Sequence, residues 1–173
     1  MHTKAVYHAA RGLAAAGVAV LRFQFRGVGA SPGHYTAGPG ERADARAALE
    51  WLANRYPGEP LLAGGFSFGS WVGVAAGQER HDVMGLLALG PPVALYDFSF
   101  VRGDRPILCL AGDRDAFAPE ADLRAFVAQH PAQAELVLLH GAEHLLTTHL
   151  QSLEEAVSRF AARVLDAADT AFP

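Results

Sequence analysis

The chain has 173 residues, 51% hydrophobic and 18% charged, which is enough apolar material for a packed core and excludes a disordered chain. Its formal net charge is −4 and it has no basic run, which argues against a nucleic-acid or anionic-membrane partner. No stretch approaches the roughly 18 apolar residues of a membrane span, and residues 1–4 lead into an Ala-rich helical pattern instead of a secretory h-region, so a cytoplasmic protein is expected.

The length suits one domain over 1–173. A helix is expected over 3–16, stopped by Gly17. Residues 18–25 (VAVLRFQF) read as a strand, rich in β-branched and aromatic side chains. The strand runs into RGVGASPG (26–33). Gly27, Gly29 and Gly33 miss the G-x-G-x-x-G spacing and Pro32 opposes a helix start, so this is a tight turn and not a phosphate loop. Arg26 is expected to tie that turn down by hydrogen bonds. After a loop over 33–40 comes a helix over 41–55, with Ala45, Ala48, Leu49 and Leu52 on one face.

A strand over 60–66 leads into Gly65-Phe66-Ser67-Phe68-Gly69, and a helix leads out to about residue 78. The run VMGLLAL (83–89) is apolar throughout, as a buried parallel strand is, and Gly90-Pro91-Pro92 stops it. Residues 93–105 are irregular and aromatic. A strand over 107–111 holds the lone Cys109, which can form no internal disulfide and reads as a buried thiol. A helix over 119–129 and a strand over 135–139 follow. The last helix is expected to begin near Ser152, where Ser152-Leu153-Glu154-Glu155 is a capping-box sequence, and Leu153, Val157, Phe160 and Val164 form its apolar stripe. This alternation of strands and helices predicts an α/β fold, a mostly parallel sheet with helices on both faces in three layers, α/β/α. Ligands bind such sheets at the carboxyl ends of the strands.

The segment around Ser67 reads G-x-S-x-G between a strand and a helix, the pattern of a nucleophile elbow. Small neighbours let the chain turn sharply there, hold the serine hydroxyl above the sheet and present the Phe68 N–H to a substrate carbonyl as an oxyanion donor. A serine hydroxyl needs a base, a histidine serves as one, and a carboxylate orients the imidazole. Later strand ends supply both. Asp113 and Asp115 follow the strand over 107–111, and His140, His144 and His149 follow the strand over 135–139. Loop placement favours Asp115, since Asp113 sits at the strand end where a turn-capping role suffices. It also favours His144 over His140, at its own strand end, and over His149, near the last helix. The chain order Ser, Asp, His is that of α/β-hydrolase triads. With no H-E-x-x-H and no C-x-x-C, no metal is expected, and the triad needs no cofactor. Tyr96, Phe98 and Phe100 are candidates either to line an acyl pocket or to cover the edge of the core. The short stretch from Leu89 to Ile107 leaves no room for a helical cap.

Together, FRGVGASPG (25–33), DARAALEWL (44–52), AGGFSFGS (63–70), AGDRDAFAP (111–119) and HGAEHLL (140–146) resemble the α/β-hydrolase superfamily, in particular its small capless bacterial members of the carboxylesterase and dienelactone-hydrolase kind. The resemblance places the acid at Asp115 and the base at His144. It implies a serine hydrolase acting on a small ester or related acyl substrate through an acyl-enzyme; a thioesterase, lactonase or peptidase, or a non-catalytic member, are its alternatives. One departure stands out. The family has strands before its first helix, and the last of them is followed by a loop that gives a second oxyanion donor. This sequence begins at that helix, so the fold is expected to be short at its N-terminus, with Met1 an internal methionine of a longer protein. Failing that, the 18–25 strand is expected to pair with the strand before Ser67, or the protein to form a homo-oligomer.

Overall fold

The computed structural model describes residues 3–130 and 134–171; the expectation about Met1 lies outside them. Its elements are α1 (Lys4–Ala15), α2 (Pro39–Arg55), β1 (Leu61–Phe66), α3 (Phe68–Gln78), β2 (Val83–Leu89), β3 (Ile107–Gly112), α4 (Glu120–Ala128), β4 (Ala134–Leu139) and α5 (Leu150–Ala171). The four strands lie in the order β1-β2-β3-β4, all parallel.

Alternation along the strands divides the core. Leu87 and Leu89 of β2 and Leu108 and Leu110 of β3 face one way, into a cluster closed by Ala5 and Ala9 of α1 and Leu153, Val157 and Phe160 of α5. Leu86, Ala88, Ile107 and Cys109 face the other, against Ala45 and Leu49 of α2, Val72 and Ala76 of α3 and Phe126 of α4. Strands buried on both faces read as unbroken apolar runs, and the result is the three-layer α/β arrangement. Burial pushes the Cys109 thiol up to about 12, which leaves it an inert core side chain. Among the described residues no helix is long and apolar enough to cross a membrane.

Two expectations fail. Residues 18–25 form no strand and pair with no part of the sheet. Strand propensity reflects fit to a neighbouring strand more than an intrinsic backbone preference. Here the nearest strand, β1, is separated from 18–25 by cavities lined by both. The capping box at Ser152 also fails: α5 starts at Leu150, so Ser152 lies within the first turn, and His149 O accepts the Leu153 N–H at 3.0 Å.

The start of α2 holds a buried carboxylate. Glu41 is fully buried and accepts hydrogen bonds from Thr36 N–H, Thr36 Oγ1 and Gly38 N–H at 2.8–2.9 Å. Burial alone would raise its carboxyl; these donors override that and hold it down at about 2. One turn later Asp44 accepts from the Arg26 backbone N–H and guanidinium, so Arg26 ties the 26–33 turn to α2.

Candidate active site

Ser67 stands between β1 and α3 with φ 54° and ψ −128°, a region that costs a non-glycine residue about 1–3 kcal/mol. Packing on both sides enforces it. A Cβ on Gly65 would lie 2.4 Å from the Gly69 carbonyl oxygen, so residue 65 must be glycine for the chain to fold back so tightly. Gly69 is different: a Cβ there would meet only the Phe25 ring, at 3.8 Å. Only the first glycine of the motif is therefore sterically required. Ser70 fixes the turn from the helix side, donating its N–H and Oγ–H to the Ser67 carbonyl at 2.8 and 2.6 Å. As the first residue of α3, Phe68 carries an N–H with no partner inside the helix.

Two loops bring the other groups to Ser67. The loop after β3 and the loop after β4 lie against each other. Asp113 N–H donates to Leu139 O at 3.2 Å, Arg114 N–H donates to Ala142 O at 3.0 Å, and a Cβ on Gly112 would fall 2.0 Å from that same Ala142 oxygen. This contact sets Asp115 opposite His144. The Asp115 side chain is fully buried, takes the Phe117 N–H at 2.9 Å, and has its other oxygen 2.7 Å from His144 Nδ1. His144 Nε2 lies 2.8 Å from Ser67 Oγ. The imidazole is packed between Phe66, 5.1 Å away centroid to centroid, and the edge of Phe117, at 4.8 Å.

The alternative residues are placed apart from Ser67. Asp113 accepts the Gly141 N–H and pairs with His140 Nδ1, each at 2.7 Å, which pins the two loops together; the Gly141 N–H is the main reason its carboxyl sits below the usual range. The His140 side chain is 96% exposed. His149 bonds Thr148 at the start of α5. Of the aromatic candidates, Tyr96 packs against Phe68, at 5.8 Å, and against Trp71. Phe98 is buried in the core against Phe126 and stacks on Phe100, so this pair covers the core edge. The sequence reading missed Tyr35, Phe25 and Phe117. Tyr35 and Phe25 meet the Phe68 ring edge-on at 5.6 and 5.9 Å. For Phe117 the signal was present, two residues beyond Asp115; for Tyr35, in a glycine-rich loop, there was none. The stretch between β2 and β3 carries no helix, so no helical cap rises from it. Among the described residues no group of three or more His, Cys, Asp or Glu could hold a metal ion.

Comparison with known proteins agrees with this architecture. The family described as serine aminopeptidase, S33, matches residues 1–102. An uncharacterised protein of Rickettsia prowazekii is 34% identical over 170 residues, covering 92% of this chain and 71% of that protein. An α/β serine hydrolase homologue from Coxiella burnetii is 34% identical with a TM-score of 0.85, over 92% of this chain and 76% of its own. A lidless α/β serine hydrolase from Xanthomonas campestris is 33% identical with a TM-score of 0.87, over 95% of this chain and 75% of its own.

Proposed function

The chain belongs to the serine aminopeptidase, S33, family of α/β hydrolases, and we propose that within it this protein is a serine hydrolase that cleaves small esters or related acyl compounds through Ser67, His144 and Asp115. What supports the reading is the unbroken line Asp115 to His144 to Ser67, at 2.7 and 2.8 Å.

Each group has its step. As Ser67 Oγ attacks the acyl carbonyl carbon, its proton passes to His144 Nε2. Asp115 accepts the Nδ1–H throughout, which leaves Nε2 free as the base and stabilises the imidazolium that forms. The Phe68 N–H donates to the developing oxyanion. His144 returns the proton to the leaving alcohol as the carbon–oxygen bond breaks, giving the acyl-enzyme. Water, deprotonated by the same His144, then releases the acid and regenerates Ser67.

The rings gathered here are Phe117, against His144, and Phe68, the residue after Ser67, with Tyr96 and Tyr35 packed on it. They suit an apolar acyl group better than a free α-amino group, which requires a carboxylate partner. Parallel assays with p-nitrophenyl acyl esters and aminoacyl p-nitroanilides test this. Turnover of the esters, lost in Ser67→Ala, is expected. Turnover of the anilides alone would make the protein a peptidase, and turnover of neither, in well-folded protein, would make it a binding protein.

A further inference from the structure

Among the described residues only two leucines are exposed, Leu95 and Leu145, and both stand on loops that follow strands, at the end of the sheet where Ser67 lies. Phe117, exposed as well, joins them there. Single exposed apolar side chains are ordinary on a protein surface. Three gathered around one reactive group call for a reason.

Each is held out by its backbone. Leu146 N–H donates to Glu143 O at 3.0 Å, a turn with His144 and Leu145 as its two central residues. Leu146 is drawn into the core, 1% exposed, in a left-handed conformation with φ 55° that few residues other than glycine adopt, whereas Leu145 stays 59% exposed. Ala118 N–H donates to Asp115 O at 3.3 Å, so Phe117 is a central residue of a second turn, with its own N–H on the Asp115 carboxylate. The Phe117 ring meets His144 at 4.8 Å. Leu95 lies in a third turn, its N–H on Pro92 O at 2.9 Å, and the neighbouring Ala94 N–H donates to Phe117 O at 3.2 Å. Leu145 and Phe117 thus flank His144, and Leu95 is tied to Phe117.

The reaction decides which part of a substrate meets them. The Phe68 N–H takes the acyl oxygen while Ser67 Oγ bonds the acyl carbon. His144 Nε2 must then reach the alcohol oxygen as the carbon–oxygen bond breaks, so the alcohol leaves on the His144 side. Phe68, with Tyr35 and Tyr96 packed on it, belongs to the oxyanion side; Phe117 and Leu145 belong to the other. A long hydrocarbon chain there removes exposed apolar surface from water, which a sugar or a short alcohol cannot do to the same extent. We propose that Leu145, Phe117 and Leu95 form the alcohol subsite and select esters of long unbranched alcohols over esters of short or polar ones. This rests on the ester-cleaving reading of Ser67, His144 and Asp115.

Ethyl, butyl and hexyl acetate, each kept below its solubility, test this, because their alcohols differ little as leaving groups. The value of kcat/KM should rise about threefold with each methylene, or about 80-fold from ethyl to hexyl acetate. In a variant carrying Leu145→Ser and Leu95→Ser, the hexyl-to-ethyl ratio should fall by about fivefold or more. The ratio of ethyl hexanoate to ethyl acetate, which reads the acyl side, should stay as it is. Four results would each overturn the subsite: equal rates along the alcohol series, a hexyl-to-ethyl ratio unmoved in the variant, an equal fall in the acyl ratio, or a rise that begins only once the ester exceeds its solubility and forms droplets. Turnover of p-nitrophenyl acetate alongside a flat alcohol series would remove the alcohol subsite alone; failure to turn over p-nitrophenyl acetate or any alkyl ester would remove the ester reading beneath it as well.

Discussion

β3 has a strand on each side, and Ile107, Leu108, Cys109, Leu110 and Ala111 are all fully buried. β1 has β2 on one side and, on the other, residues 18–25 across a slot. The chemistry is divided along the same line. Asp115 stands on the loop leaving β3 and His144 on the loop leaving β4, which pairs with β3 alone, and the two loops are locked to each other through Asp113, Arg114 and Ala142. Ser67 stands at the end of β1, whose one ladder is with β2. Asp115 is thus anchored to the fully buried β3 and held to His144 by the pairing of two loops, whereas the position of Ser67 depends on the tight Gly65–Gly69 turn and on how firmly β1 is held.

The largest expected effect lies on the buried side. Asp115→Asn keeps the shape but withdraws the charge that sets the His144 tautomer, and kcat should fall by about 10^4-fold in an ester assay. Asp113→Asn, which alters only the pin between the loops, should leave kcat nearly unchanged. A loss in Asp113→Asn comparable to that in Asp115→Asn would break the assignment of acid. Stability should show the next contrast. Leu108→Ala should cost about 2–5 kcal/mol in urea unfolding, and Val20→Ala, in the exposed segment, no more than about 0.5 kcal/mol. Equal costs would mean that residues 18–25 are packed as tightly as β3.

A smaller effect concerns acid stability. The Glu41 carboxyl is depressed in the folded state from 4.5 to about 2. Its stabilisation is therefore complete above about pH 4.5 and is lost as pH falls toward 2. Thermal melts of Glu41→Gln and the unaltered protein should differ most above pH 5 and converge below pH 3. A constant difference across that range would contradict the depressed carboxyl.

Much of this arrangement was legible in the residues. VMGLLAL and ILCLAG announce strands buried on both faces because both are apolar without interruption. The three groups that meet at the site each follow a strand end, where parallel sheets place their loops. Asp113 and Asp115 are chemically alike with one residue between them; what distinguishes them is the pairing of the two loops, which lies in tertiary contact. VAVLRFQF is composed as well as any strand here, yet composition specifies only a segment that fits a sheet, and pairing needs a neighbour at strand spacing. Phe98 and Phe100 show the same limit. An aromatic run in a loop has no inherent direction, and here Phe98 turns to Phe126 of α4 while Tyr96 packs on Phe68, the residue after Ser67.

In the proposed function, Ser67 is a nucleophile activated through His144. A fluorophosphonate probe reports this directly, since it reacts with an activated serine and not with an ordinary one. The protein is expected to label at one site mapping to Ser67, Ser67→Ala to abolish labelling, and His144→Gln to slow it by orders of magnitude with the fold intact. Well-folded protein that does not label, or that labels equally fast in His144→Gln, would contradict it.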